Sequence, residues 1–140
     1  MPKTAILKNR RSISASFSEF ILFIFLLSCI VEAVDYYTTP RGQCPNSPNM
    51  LKFTSLASVL GFDAFNLAET LLIQPLQIII GNKQGAFGSF RDGHEFYNRA
   101  ASNKKDLFIL EGESHYDLYD QPEPVRQAVE KLVVFYKENL

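Results

Sequence analysis

The sequence predicts an α/β protein whose parallel strands are covered by helices. Three observations carry that prediction. Two short apolar runs, PLQIIIG (75–81) and KDLFIL (105–110), have the length and composition of strands. Runs of this kind fit strands buried on both faces of a parallel sheet. A helical stretch, Phe90 to Ala101, separates them, and a clearly amphipathic helix follows the second run. The order strand, helix, strand, helix points to a sheet with helices on its faces.

The chain has 140 residues, 46% hydrophobic, 13% aromatic and 21% charged, which suits one globular domain at most. A net charge of −1 leaves no electrostatic footprint for nucleic acid. The charge is unevenly divided. Residues 1–31 hold four basic side chains and one acidic, whereas residues 32–140 hold ten basic and fourteen acidic. The chain is therefore read as an N-terminal segment, 1–31, and a partial domain, 32–140.

The first segment is basic and Ser-rich, then apolar from Phe20 to Val31 (FILFIFLLSCIV). Twelve apolar residues are too few for a spanning helix, which needs about twenty. They suit the apolar core of an export signal, flanked by Lys8, Arg10 and Arg11, with a small-residue cleavage pattern after Ala33. Leu26 to Cys29 loosely matches a lipoprotein box. Membrane contact through residues 20–31 is one expectation; the other is a misjoined start foreign to the domain. Cys29 and Cys44 stand in such different settings that neither a disulfide framework nor a metal spacing is expected.

From Glu32 to Thr39 a short helix is expected, stopped by Pro40. Thr39 to Asn49 holds three prolines and a glycine and reads as a loop. Leu51–Leu60 and Ala64–Leu72 read as helices on either side of Gly61, ahead of the first strand. A Gly-rich loop, 81–89, leads to the crossover helix, where Gly93 weakens the start. Pro122 and Pro124 open the final helix, in which Val125, Ala128, Val129, Leu132, Val133 and Tyr136 repeat with helical period. Val129, Leu132 and Val133 are expected to dock on the sheet. Two strands cannot cover such a sheet alone, so the chain reads as the end of a larger domain.

Glu111 to Asp117 (EGESHYD) follows the last strand, where open α/β sheets gather functional groups. A histidine there, His115, suits a general base because imidazole titrates near neutrality. The runs EGESHYDLYD, QPLQIIIGNKQGAFGSFRDG and YYTTPRGQCPNSPNMLKFTSLASVLGFDAF together resemble the C-terminal half of the α/β-hydrolase superfamily, in its dienelactone-hydrolase-like branch. The resemblance covers about Glu32 to Leu140. It implies a serine hydrolase of esters or related acyl bonds, with a small-molecule acyl substrate, no cofactor and a cytoplasmic home, unless residues 1–31 export it. It also implies that His115 is the catalytic histidine.

The other triad members are not found in the same way. In this fold the nucleophile sits in a Gly-x-Ser-x-Gly elbow ahead of the acid and the histidine, and no such pentapeptide occurs here. Ser114, adjacent to His115, reads as a loop residue. The resemblance sets the acid three residues past Gly81, where Gln84 stands; an amide cannot carry the charge that stabilises an imidazolium. Asp92 is the next carboxylate and a weak candidate for the acid, with helix N-terminal stabilisation the competing role. Asp117 reads as a capping residue. His94-Glu95 and His115-x-Asp117 lack metal-site spacing, and Arg41 is expected either to bind an anion or to pair with a carboxylate. The chain alone is thus expected to be inactive and prone to self-association. The rival reading is a small, non-enzymatic, exported or anchored binding protein.

Overall fold

A computed structural model of the chain describes residue 27, residues 30–85 and residues 87–140. Most of the basic and apolar N-terminal segment, with Cys29, therefore lies outside the described residues.

Residues 30–38 are helical (α1) and stop before Pro40, as the proline requires. A 3-10 turn, Phe53–Ser55, leads into α2, Leu56–Leu60, and neither contains a buried residue. The next helix is shorter than its apolar pattern implies: α3 covers only Ala68–Leu71. The preceding residues are taken by a turn in which the Asp63 carboxylate accepts the Phe65 N–H at 2.9 Å. Leu67 then adopts a left-handed conformation, φ +62°, which no helix can include.

Strand β1, Leu76–Gly81, pairs in parallel with β2, Lys105–Leu110, in unbroken register from Leu76↔Lys105 to Gly81↔Leu110. The crossover is α4, Ser89–Arg99. After β2 come a single-turn helix α5, Asp117–Asp120, and the long α6, Pro122–Asn139. The protein is thus mixed α/β, a two-stranded parallel sheet with flanking helices.

The two faces of the sheet are covered differently. Ile78 and Ile80 point to the face that receives α4. The contact is close because Gly93 has no side chain: a Cβ there would lie 2.9 Å from Ile80 Cγ2. Gly93 therefore serves the approach of helix to sheet, at some cost to helix propensity. Lys105 Nζ caps the far end of α4, donating to the carbonyls of Tyr97 (2.7 Å) and Ala100 (2.8 Å). On the opposite face Lys131 of α6 pairs with Asp106 at 2.8 Å and lies over the Phe108 ring.

Burial departs from expectation. Ile80 and Gly81 are buried in β1 and only Leu110 in β2; the other strand residues are half-covered. Among the described residues the apolar core is Ala68, Ile80, Ala100, Leu110 and Tyr116. The expected docking of α6 is corrected in the same way. Leu132 is half-buried, but Val129 and Val133 are 50% and 44% exposed. The helix instead packs through Pro124, Val125, Ala128, Leu132 and Phe135, because a sheet two strands wide underlies only half of its apolar arc. Among the described residues no helix is long and apolar enough to cross a membrane.

Candidate active site

Two loops interlock just past the carboxyl ends of the strands. The Lys83 N–H donates to the Glu113 carbonyl at 3.0 Å, and the Gly112 N–H donates to the Asn82 side-chain oxygen at 2.7 Å. The Asn82 amide in turn donates to Glu111. Gly81 permits this approach, since a Cβ on it would collide with the Glu113 backbone. The loop after β1 and the loop after β2 are thereby held as one unit.

Ser114 anchors that unit. It is buried, its hydroxyl donates to Glu32 of α1, and its oxygen accepts the N–H groups of Tyr116 and Asp117, each at 3.2 Å. The Asp117 carboxylate returns the interaction by accepting the Ser114 N–H at 2.8 Å. Burial pushes the Asp117 carboxyl pKa up, but the Ser114 hydrogen bonds and nearby Lys83 outweigh burial, and the net shift is downward. Ser114 and Asp117 thus act as the loop and capping residues the sequence implied, with the serine oxygen fully engaged.

His115 is exposed, and its Nε2 lies 2.7 Å from the Tyr119 hydroxyl, one turn along α5. The Tyr119 ring packs on Tyr36 of α1 (centroids 5.0 Å apart) and on the imidazole itself (4.9 Å). Burial, followed by the neighbouring Tyr37 and Tyr36, raises the Tyr119 pKa. The hydroxyl therefore stays protonated across neutral pH. Arg41 fixes α5 from outside: Nε and Nη2 donate to the two Asp120 oxygens at 2.8 Å each, and Nη1 to Asp35 at 2.8 Å. Hydrogen bonds from Arg41 hold the Asp120 carboxyl below its usual range. Of its two expected uses, Arg41 takes the carboxylate pairing.

A cleft of about 450 Å³ opens beside these loops. His115, Gln84, Lys83 and Ser89 line it, with Val31, Phe87 and Tyr116 as its apolar walls. His115 and Gln84, on different loops, thus face one cavity. Asp92 is not part of this lining among the described residues; its carboxylate is held by Arg91, at 2.9 Å from Nε and 2.8 Å from Nη2. His94 packs edge-on against Phe90, and its Nε2 is buried without a hydrogen-bond partner. Glu95 pairs with Arg99 at 3.2 Å. Among the described residues no cluster of three or more His, Cys, Asp and Glu side chains is arranged to hold a metal ion, and Cys44 is a free, exposed thiol.

No local pattern marks Tyr119 or Glu32, or tells which carboxylates Arg41 pairs with. The i, i+4 spacing of His115 and Tyr119 was the one available signal, and it has meaning only once α5 is known to be helical.

The chain matches two proteins of unassigned role. The uncharacterized protein YcjY of Escherichia coli (strain K12) is 38% identical over 109 residues, 78% of this chain and 35% of the relative. The uncharacterized protein PA2218 of Pseudomonas aeruginosa is 31% identical over 114 residues, 79% of this chain and 29% of the relative. The chain thus spans about a third of the length of the curated relatives it matches. No family model matches it.

Proposed function

We propose that the chain carries the histidine-bearing end of an α/β-hydrolase domain of the dienelactone-hydrolase-like branch, whose chemistry is hydrolysis of esters or related acyl bonds. One observation carries the reading: His115 and Gln84, which occupy the positions of histidine and acid in the resemblance, line one cleft past the carboxyl ends of adjacent parallel strands. In that chemistry the imidazole takes the proton of an attacking serine hydroxyl and returns it to the leaving group. The small-molecule acyl substrate would lie against Phe87 and Tyr116 in the same cleft.

Two features limit activity. Residues 32–140 hold no Gly-x-Ser-x-Gly elbow, and the serine nearest the histidine, Ser114, is committed to Glu32 and to its own loop. Gln84 can hydrogen-bond an imidazole but cannot offset its charge; replacing a triad carboxylate by an amide lowers turnover by about 10⁴ in a serine protease. The chain alone should therefore release no product from activated acyl esters above the imidazole-catalysed background. Turnover abolished by a serine-directed covalent inhibitor would overturn this reading, because it requires a nucleophile that the proposal denies.

A further inference from the structure

The residues on either side of His115 are held from one direction. Glu32, on α1, accepts the hydrogen bond of the Ser114 hydroxyl. Tyr36, one turn further along α1, packs on Tyr116 (ring centroids 5.8 Å apart) and on Tyr119 (5.0 Å). Arg41, in the turn after α1, grips Asp120 through two bonds of 2.8 Å. Residues 32–41 thus clamp the segment that presents the imidazole, from Ser114 to Asp120.

Of these contacts, the one at Glu32 acts closest to the histidine. The Ser114 oxygen accepts the N–H groups of Tyr116 and Asp117, each at 3.2 Å, and so fixes the backbone that follows His115. A hydroxyl can donate one hydrogen bond and accept two, and here all three are in use. Ser114 is only 3% exposed, so water cannot readily replace a lost partner. Without Glu32 the hydroxyl proton is left unsatisfied, a costly state in a buried site. It must then turn toward another acceptor and loosen its hold on the two amides.

We infer that Glu32 is a positioning residue for His115: its carboxylate, acting through the Ser114 hydroxyl, sets the backbone that aims the imidazole into the cleft. Glu32 and His115 line that cleft together, although the Glu32–Ser114 bond joins residues 82 positions apart. The reaction that the imidazole serves rests on the acyl-hydrolase reading; its placement by Glu32 does not. Cleavage after Ala33 would divide α1 and remove both Glu32 and Val31 from the cleft, so a processed chain would lose this hold on the histidine.

The test is site-resolved carbethoxylation of the full chain, read by mass spectrometry at His115 and at His94, whose buried Nε2 serves as an internal standard. Glu32→Ala should let the imidazole leave the Tyr119 hydroxyl and speed its modification about fivefold, the equivalent of one lost hydrogen bond. The His94 rate should stay unchanged. Glu32→Gln, whose amide oxygen still accepts the Ser114 proton, should keep the parent rate at His115. So should Val34→Ala, at a position 55% exposed on the same helix. Because Glu32 acts through the placement of the ring, Glu32→Ala combined with Tyr119→Phe should be no faster than Tyr119→Phe alone. An unchanged His115 rate in Glu32→Ala would overturn the inference, as would additive effects in the double variant. Equal acceleration at His94 would also overturn it, since Glu32 would then support the fold at large, and so would a Glu32→Gln rate matching that of Glu32→Ala. No acyl substrate or serine-directed probe enters these measurements, so the role of Glu32 and the hydrolase reading fail independently.

Discussion

The Tyr119 hydroxyl sits 2.7 Å from His115 Nε2 and holds the imidazole through one turn of α5. The tyrosine is itself fixed by its packing on Tyr36, and α5 by the double bond from Arg41 to Asp120. The imidazole is thus held by an aromatic neighbour at Nε2, the ring nitrogen that faces the serine in a serine-hydrolase triad, and not at Nδ1, where the acid would bind.

Removing that bond should make His115 more reactive. A neutral hydrogen bond contributes about 1 kcal/mol, so Tyr119→Phe should speed carbethoxylation of His115 by about fivefold. Mass spectrometry of the modified peptide reads the rate. An unchanged rate would mean that Tyr119 does not restrain the ring.

Core and flank should respond differently to shortening. Among the described residues Leu110 is the most buried side chain, 2% exposed, and Leu110→Ala should cost about 2–5 kcal/mol. Val133→Ala should cost under about 0.5 kcal/mol, within the range of surface substitutions. Urea midpoints followed by circular dichroism compare the two, and equal losses would contradict the packing described.

Acid should loosen α6. The Asp106 carboxyl is held below its ordinary range, first by the hydrogen bond from Lys131 and then by Gln77. A carboxyl depressed in the folded state contributes stability above its unfolded value, about pH 4, and loses it as pH falls through the lower folded value. Hydrogen exchange in α6 should therefore accelerate below about pH 4, and Asp106→Asn should remove this contribution. A variant with the parent's full acid response would show that the pair is not responsible.

The strands and the final helix were legible because each rests on local signals: a β-branched run ended by Gly81, an apolar run closed by Glu111-Gly112, and a proline in the first turn of α6. The length of α3 was not, since it depends on the Asp63 turn and on Leu67 at positive φ. The docked face of α6 was misjudged for a physical reason: periodicity marks every apolar position, whereas burial depends on how wide a sheet lies beneath. At the site, His115 was singled out by its place after the second strand and then by the resemblance, Gln84 by the resemblance alone, and both line one cleft. Glu32–Ser114 and Arg41–Asp120 join residues 82 and 79 positions apart, which no local pattern encodes.

The N-terminal segment makes its own prediction. If residues 1–31 are an export signal, a fused reporter should leave the cytoplasm, with cleavage near Ala33 or lipid attached at Cys29. Replacing Leu22 and Leu26 by arginine should stop it, because charge at the centre of an apolar segment is costly, about 2.5–3.5 kcal/mol per residue. A reporter retained with residues 1–31 intact would favour the misjoined start.

The most direct test is a chimera in which residues 32–140 replace the matched region of the Escherichia coli relative. A fluorophosphonate probe then reads whether the chimera contains a serine that His115 activates. Labelling should be lost in His115→Ala and increased in Gln84→Asp, where a carboxylate restores the missing charge. Absence of labelling, or labelling indifferent to His115→Ala, would contradict the hydrolase reading.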